Sequence, residues 1–124
     1  MLKLSIKLIL TEEQAKIASR ACEFYARILY GQFWEITYET IEKESPFPED
    51  FCFRAEQAER HLLEARKHLM PELKGRGHSY GLGHSKTADM SYDIYQVLRI
   101  LLGDTRTPFS YYELPTAERI EVET

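Results

Sequence analysis

A glycine-rich segment, residues 74–85, most constrains the fold, because a regular helix or strand cannot continue through it. It holds four of the chain's six glycines. Glycine costs a helix on the order of 1 kcal/mol relative to alanine and readily adopts positive φ, so the segment predicts a loop. Pro71 ends the helical pattern before this loop, and Thr87 is placed to cap a helix after it.

Apolar periodicity predicts three main helices on the two sides of this loop. Their expected bounds are Thr11 to at least Tyr30, residues 49–69, and Thr87 to about Leu102. Thr11 and Gln14 have the spacing of a capping box, and Gly31 predicts a break after the first helix. Residues 33–41 have helical spacing, although their aromatic and β-branched content leaves a strand open.

Alternating residues predict short strands at both ends of the chain. In residues 2–10, leucine and isoleucine alternate with lysine and serine, which is the period of a half-buried strand. Residues 109–112 and 119–123 favour strands as well. We therefore expect a single domain, 1–124, of the α+β class: mostly helical, with three main helices and a small antiparallel sheet formed by the N-terminal strand and the C-terminal tail.

The balance of charges restricts the class of partner. The chain has 16 Lys and Arg against 20 Asp and Glu, a formal net charge of −4. This balance argues against binding polymeric nucleic acid, whose affinity comes from clustered basic residues. Residues 54–86 are nevertheless basic, with 7 Lys and Arg against 4 acidic residues, and they hold all four histidines. A site for a small anion is expected in this segment.

Compartment and assembly follow from composition and patterning. Cys22 and Cys52 lack the spacing of a metal or redox pair, which favours reduced thiols. The longest apolar run is far shorter than the roughly 18 residues of a membrane span, so we expect no membrane partner and a cytoplasmic location. The first and third helices each carry two adjacent apolar stripes, more than a small monomer covers, which predicts a homo-oligomer.

The glycine-rich loop is the first candidate for chemistry. Its glycines allow backbone N–H groups to approach phosphate oxygens closely, and the following helix N-terminus favours an anion. A surface loop without a ligand is an equal alternative, and Asp89 would compete with a phosphate. His61 and His68 are two helical turns apart, so we predict no metal site, and no residue set supports a catalytic assignment or a cofactor.

One face of the third helix is the second candidate. Tyr92, Tyr95 and Arg99 are spaced by three and four residues, which places two rings and a guanidinium on one side. Such groups can stack on a base and pair with a phosphate. An aromatic interface between subunits is the alternative.

Three stretches resemble a family of small phage and prophage proteins. They are residues 79–83 (SYGLG), residues 92–99 (YDIYQVLR) and residues 21–32, which contain FYARI and end in Gly31-Gln32. These proteins are similar to the Thoeris anti-defence phage proteins. Members of that family assemble into homo-oligomers and bind, without cleaving it, the cyclic ADP-ribose signal made by bacterial TIR enzymes.

The resemblance implies a nucleotide pocket formed by the loop and the tyrosine-rich helix, completed by a second subunit. The ligand-binding residues expected there are Arg76, Gly77, His78, Ser79, Tyr80, Gly81, Gly83, Tyr92, Tyr95 and Arg99. The expected function is sequestration of a small cyclic nucleotide. The alternatives are a protein-binding inhibitor or scaffold and a nucleotide phosphodiesterase that uses loop histidines.

Overall fold

The computed structural model describes residues 4–42 and 51–103, and these residues form helices and loops without a strand. The elements in chain order are α1 (Glu12–Leu29), α2 (Trp34–Thr37), a π-helical turn (Tyr38–Glu42), α3 (Phe51–Leu69) and α4 (Lys86–Leu101). The three main helices of the sequence prediction are therefore present as α1, α3 and α4, and residues 33–41 are largely helical.

The predicted α+β class with an antiparallel sheet is wrong. Residues 4–10 form no strand, and the tail segments 109–112 and 119–123 lie outside the described residues. A strand requires hydrogen bonds from a neighbouring strand, and the described part of the chain supplies none. The alternating pattern instead belongs to a stretch without regular secondary structure whose side chains are exposed, including Ile6 (81% exposed) and Ile9 (95% exposed).

The ends of α1 follow the sequence signals. Thr11 Oγ1 accepts the Gln14 N–H at 3.1 Å, and Gln14 Oε1 accepts the Thr11 N–H at 3.0 Å, so the capping box is confirmed. The helix ends at Leu29, and Gly31 follows with a φ of +86°. A methyl group on Gly31 would collide with the Leu73 side chain. Both the backbone conformation and the packing therefore require glycine at this break.

The core lies between α1 and α4. Ala26 of α1 and Ala88 of α4 are completely buried, and the small side chains allow the two helices to approach closely. Tyr30 is buried beside them, and Tyr80 and Tyr92 pack against this cluster. Packing of the loop residue Tyr80 here ties the glycine-rich loop to the helix pair.

The start of α4 differs by two residues from the expectation. Ser85, rather than Thr87, is the N-cap, and its hydroxyl accepts the Ala88 N–H at 3.2 Å. Thr87 lies in the first turn. At the other end Gly103 has a φ of +90°, which is the left-handed conformation expected after a helix.

Helix α3 packs against α2, and its buried residue is a charged one. Leu69, at the end of the helix, is 69% exposed, whereas Arg66 is only 2% exposed. The reason is that α3 ends beside the glycine-rich loop and not beside an apolar helix face. Backbone carbonyls of the loop surround Arg66 there.

Candidate functional site

Arg66 connects α3 to both the loop and the end of α1. Its Nη1 donates to the carbonyl of Gly31 at 2.9 Å and to the carbonyl of His78 at 2.7 Å, and its Nη2 donates to the carbonyl of Gly75. A buried guanidinium is stable only when its donors are satisfied. Arg66 therefore fixes the first half of the glycine-rich loop against the break after α1.

Asp89 holds the second half of the loop. This residue is completely buried, and its Oδ2 accepts the Gly83 N–H at 2.9 Å while its Oδ1 accepts the Tyr30 hydroxyl proton. Burial, together with the adjacent Asp89 carboxylate, raises the pKa of Tyr30 well above its ordinary value. A carboxylate of the chain itself thus lies beside the N-terminus of α4, where the sequence suggested a phosphate.

Tyr80 is the aromatic anchor of the loop. Its backbone N–H donates to the Tyr30 carbonyl at 2.8 Å, and its ring stacks on the His84 ring with 3.5 Å between centroids and an interplanar angle of 6°. The Tyr80 hydroxyl oxygen is buried without a hydrogen-bond partner in the described part of the chain. The Tyr80 ring is therefore covered by His84 on one face and also packs against the core cluster.

The loop residues that remain on the surface are near its first turn. Arg76 is exposed and forms an ion pair with Glu59 of α3. His78 Nδ1 accepts the Lys74 N–H at 2.9 Å, so a neutral His78 carries its proton on Nε2. Gly77 is exposed, with open space around its Cα. Ser79 is partly buried and Gly81 is exposed.

Tyr95 and Arg99 lie at a different place, in an open groove between α1 and α4. The groove has a volume of about 220 Å³. Its lining residues are Lys16, Ser19, Arg20, Glu23, Tyr95, Arg99 and Leu102. Four of these seven come from α1 and were absent from the sequence prediction, although their spacing of three and four residues places them on one helical face.

Arg99 lies over the ring of Tyr95, which the sequence predicts to stack on a base. The Arg99 guanidinium carbon is 5.1 Å from the Tyr95 ring centroid, and Arg99 Nη1 donates to the Tyr95 hydroxyl at 3.2 Å. Its Nη2 donates to Gln96 Oε1 at 2.7 Å. Tyr95 is only 8% exposed, and burial is the main cause that raises its pKa. The groove therefore presents Arg99 and the edge of Tyr95, not an open ring face.

The charges around the groove are partly compensated. Arg20 donates to Glu23 at 2.6 Å, to Glu35 at 2.9 Å and to Glu39. Burial alone would lower the pKa of Arg20, but the hydrogen bonds that Arg20 donates to Glu35 and Glu23 raise it. Among the described residues Lys16 pairs with Glu12, at 3.5 Å and with both side chains exposed, which is a weak contact. Lys16 and Arg99 are consequently the cations best placed to meet a ligand.

The structure divides the predicted site residues into two groups. Tyr80 and Gly83 are at the N-terminal end of α4, whereas Tyr95 and Arg99 lie about ten residues or more after its N-cap. At 1.5 Å per residue this separation is about 15–20 Å along the helix axis. Tyr92 lies between them, packed on the core, with its ring centroid 5.3 Å from that of Tyr95. One chain therefore does not bring the loop and Arg99 to the same point.

The described residues offer little for metal or acyl-transfer chemistry. They contain no group of three or more His, Cys, Asp or Glu that could hold a metal ion. Ser85 caps α4, and the Ser91 hydroxyl donates to the Cys22 carbonyl at 2.7 Å, so neither serine is paired with a histidine. Within the described ranges no helix is both long and apolar enough to cross a bilayer.

Together, these features define a helical protein with a restrained loop and an open groove lined by basic and acidic side chains. Comparisons with protein-family models, with curated proteins and with solved structures found no match to this chain.

Proposed function

We propose that the protein binds a small cyclic nucleotide, of the cyclic ADP-ribose type, and sequesters it without cleavage. The observation that carries this proposal is the groove between α1 and α4, where Arg99 and Lys16 face a space of about 220 Å³. A guanidinium and an ammonium are the groups that recognise phosphate oxygens most strongly. Ser19 adds a hydroxyl to the same groove.

The size of the groove supports an assembly of several copies. Pockets that enclose a small ligand measure about 300–1,000 Å³, so this groove alone is too small and too open to surround cyclic ADP-ribose. The exposed loop residues Arg76, Gly77 and His78 precede α4, whereas Tyr95 and Arg99 lie about 15–20 Å further along the helix axis, so the loop does not close the groove in the same chain. We propose a homo-oligomer in which the loop of one copy approaches the groove of another.

The cellular setting belongs to the same proposal. The resemblance to phage anti-defence proteins favours action in the cytoplasm of an infected or lysogenic bacterium, where a nucleotide alarm signal is made. A net charge of −4 is consistent with a small ligand enclosed by a few cations, and not with a long nucleic acid along a basic surface.

Release of the ligand after heat denaturation tests sequestration directly. The protein is incubated with cyclic ADP-ribose isomers, washed and denatured, and the released nucleotide is examined by mass spectrometry. We expect intact nucleotide. Altered nucleotide would favour the phosphodiesterase alternative with His78 or His84, and no retained nucleotide with any isomer would contradict the proposal.

A pair of matched variants tests the groove. Arg99→Ala removes the guanidinium and should weaken binding by about 1.5–3 kcal/mol if a charge-assisted hydrogen bond to phosphate is lost. Arg60→Ala is the control, because Arg60 is exposed on α3, where it pairs with Glu56, 3.7 Å away. Titration calorimetry on both variants, after circular dichroism shows native helicity, gives the comparison. Equal affinities of the Arg99→Ala and Arg60→Ala variants would contradict a role for Arg99 in binding.

A protein-binding inhibitor is the second candidate, and a specific observation favours it. Several large apolar side chains on α3 and at the end of α4 are exposed, including Phe53 (63%), Leu69 (69%) and Leu101 (54%). Exposed apolar surface of this kind commonly marks a protein interface. A protein that retains no nucleotide but forms a stoichiometric complex with a purified host enzyme would support this candidate instead.

A further inference from the structure

A small cavity lies between α2, α3 and the first turn of the glycine-rich loop, apart from the groove between α1 and α4. Its volume is about 20 Å³, which is room for one group of the size of a water molecule or a methyl group. The lining residues are Phe33, Trp34, Glu59, Leu62, Leu63, Arg66 and Arg76. Aromatic and aliphatic side chains therefore surround a space that one carboxylate and two guanidinium groups border.

Helix α3 places the carboxylate beside the apolar part of the lining. Glu59 precedes Leu62 and Leu63 by three and four residues, so the three side chains lie on one side of the helix. The Glu59 side chain is only 27% exposed. A carboxylate that loses part of its hydration beside apolar groups requires a cation as its partner. The cavity is consequently bordered by an anion that favours a positively charged occupant.

Arg76 of the loop supplies this cation in the structure. Its Nη2 donates to Glu59 Oε2. The backbone of Arg76 stays beside the cavity because Arg66 binds the carbonyls of Gly75 and His78 on its two sides. The Arg76 side chain itself is 72% exposed, and ion pairs at exposed side chains contribute little to stability. The Arg76 guanidinium can therefore leave Glu59 at small cost.

The second guanidinium of the lining is already committed to other partners. Arg66 is 2% exposed, and its Nη1 and Nη2 donate to three backbone carbonyls. It keeps these partners whether or not Arg76 is paired with Glu59. Exchange of the Arg76 guanidinium for another guanidinium thus leaves the total charge at the cavity unchanged.

We propose that this cavity binds a small guanidinium compound from solution, with Glu59 as its anionic partner and Arg76 as the competing group of the protein itself. A planar guanidinium matches a carboxylate through two parallel hydrogen bonds. The rings of Phe33 and Trp34 offer surfaces to which cations bind favourably. The departing Arg76 side chain leaves space for the guanidinium, and the cavity beside it accepts a short apolar substituent. This site is independent of nucleotide binding and of assembly, because one chain supplies all of its residues.

Fluorescence measures occupancy of the cavity directly, because Trp34 is the only tryptophan of the chain. The full chain is titrated with methylguanidinium chloride, with sodium chloride at equal ionic strength as the reference. Arg76→Ala should bind about two- to fivefold more tightly than the wild type, because it removes an exposed competing ion pair. Glu59→Gln should show no saturable change. Glu56→Gln, which breaks the exposed pair with Arg60 on the same helix, is the control and should match the wild type.

Each result supports or overturns a defined part of the proposal. Equal affinities of the wild type and Arg76→Ala would overturn the competition by Arg76, and wild-type affinity in Glu59→Gln would overturn the site. No saturable change in the wild type or in Arg76→Ala, where the sodium chloride reference stays constant, would overturn the proposal as a whole. Circular dichroism verifies native helicity. Because Arg76 is exposed, its variant is expected to fold and tests the proposal even if Glu59→Gln does not fold.

Discussion

At the scale of single residues, buried polar groups hold the glycine-rich loop in place. Arg66 binds three carbonyls, one after α1 and two in the loop, and Asp89 binds one loop amide and the Tyr30 hydroxyl. Sequence patterns identify the loop, but they do not reveal these partners, because burial of an arginine depends on carbonyls that only the folded chain brings together. The position of Asp89 in the first turn of α4 predicts a carboxylate near the helix N-terminus. In the structure this carboxylate accepts the Gly83 N–H and the Tyr30 hydroxyl proton.

Arg66→Lys should lower the stability of the protein substantially. An ammonium has a different geometry from the planar guanidinium and cannot satisfy all three carbonyls, and each lost bond to a charged donor contributes about 1.5–3 kcal/mol. We expect a loss of about 3 kcal/mol in the free energy of unfolding, measured by urea denaturation, together with faster hydrogen exchange at Gly77. Arg60→Lys on the exposed face of α3 is the control. Equal stability of the two variants would show that the carbonyls do not depend on Arg66.

Tyr30→Phe should lower stability at neutral pH and alter its dependence on alkaline pH. Loss of the hydroxyl leaves Asp89 without one donor, at a cost of about 1–3 kcal/mol. The pKa of Tyr30 is raised in the folded state, so above pH ~10 the unfolded chain releases this proton first and wild-type stability falls as pH rises.

The difference in stability between wild type and Tyr30→Phe should therefore become smaller as pH increases beyond 10. Denaturation at a series of pH values measures this difference, and other tyrosines cancel because both proteins contain them. Tyr25→Phe, at a half-exposed tyrosine of α1, should follow the wild type. A constant difference between wild type and Tyr30→Phe from pH 8 to 11 would contradict the buried hydrogen bond.

At the scale of elements, sequence signals carried by neighbouring residues predicted the structure correctly. The strand pattern, which requires a distant partner strand, did not. The capping box at Thr11, the break at Gly31 and the loop before α4 depend on neighbouring residues, and each is present in the structure. The expected strand in residues 2–10 needed a second strand, which the described residues do not contain. The α1 side of the groove could not be predicted from the sequence, because the helix that lies beside Arg99 is determined by tertiary packing.

Arg20→Gln should loosen the contact between α1 and the short helical segments that follow it. Arg20 is the common partner of Glu23, Glu35 and Glu39, and its removal leaves three carboxylates close together with less compensation. We expect a loss of about 1.5–3 kcal/mol in the free energy of unfolding, larger than for Arg60→Gln at an exposed pair. Added salt should reduce the loss by screening the carboxylates. A loss no greater than that of the control would mean that the cluster contributes little.

At the scale of the whole molecule, the groove and the exposed apolar residues lead to one expectation about assembly. The described part of one chain leaves apolar side chains exposed in residues 4–10, on α1 and on α3, and its groove is smaller than a typical ligand pocket. Both features are expected of a chain that binds another copy, which is the assembly that we propose. The double apolar stripes in the sequence predict the same assembly, although the number of copies depends on geometry between chains.

Ligand binding should therefore depend on assembly even where the groove is intact. Dilution of the wild-type chain tests this dependence, because it separates the copies and leaves Arg99, Lys16 and Tyr95 in place. If a second copy supplies part of the site, a sample diluted below the dissociation of the oligomer should bind cyclic ADP-ribose isomers at least about tenfold more weakly than a concentrated sample, which corresponds to about 1.4 kcal/mol. Calorimetry at protein concentrations above and below that dissociation gives the comparison, and light scattering gives the number of copies in each sample. Full affinity in a monomeric sample would mean that the groove between α1 and α4 is the complete site.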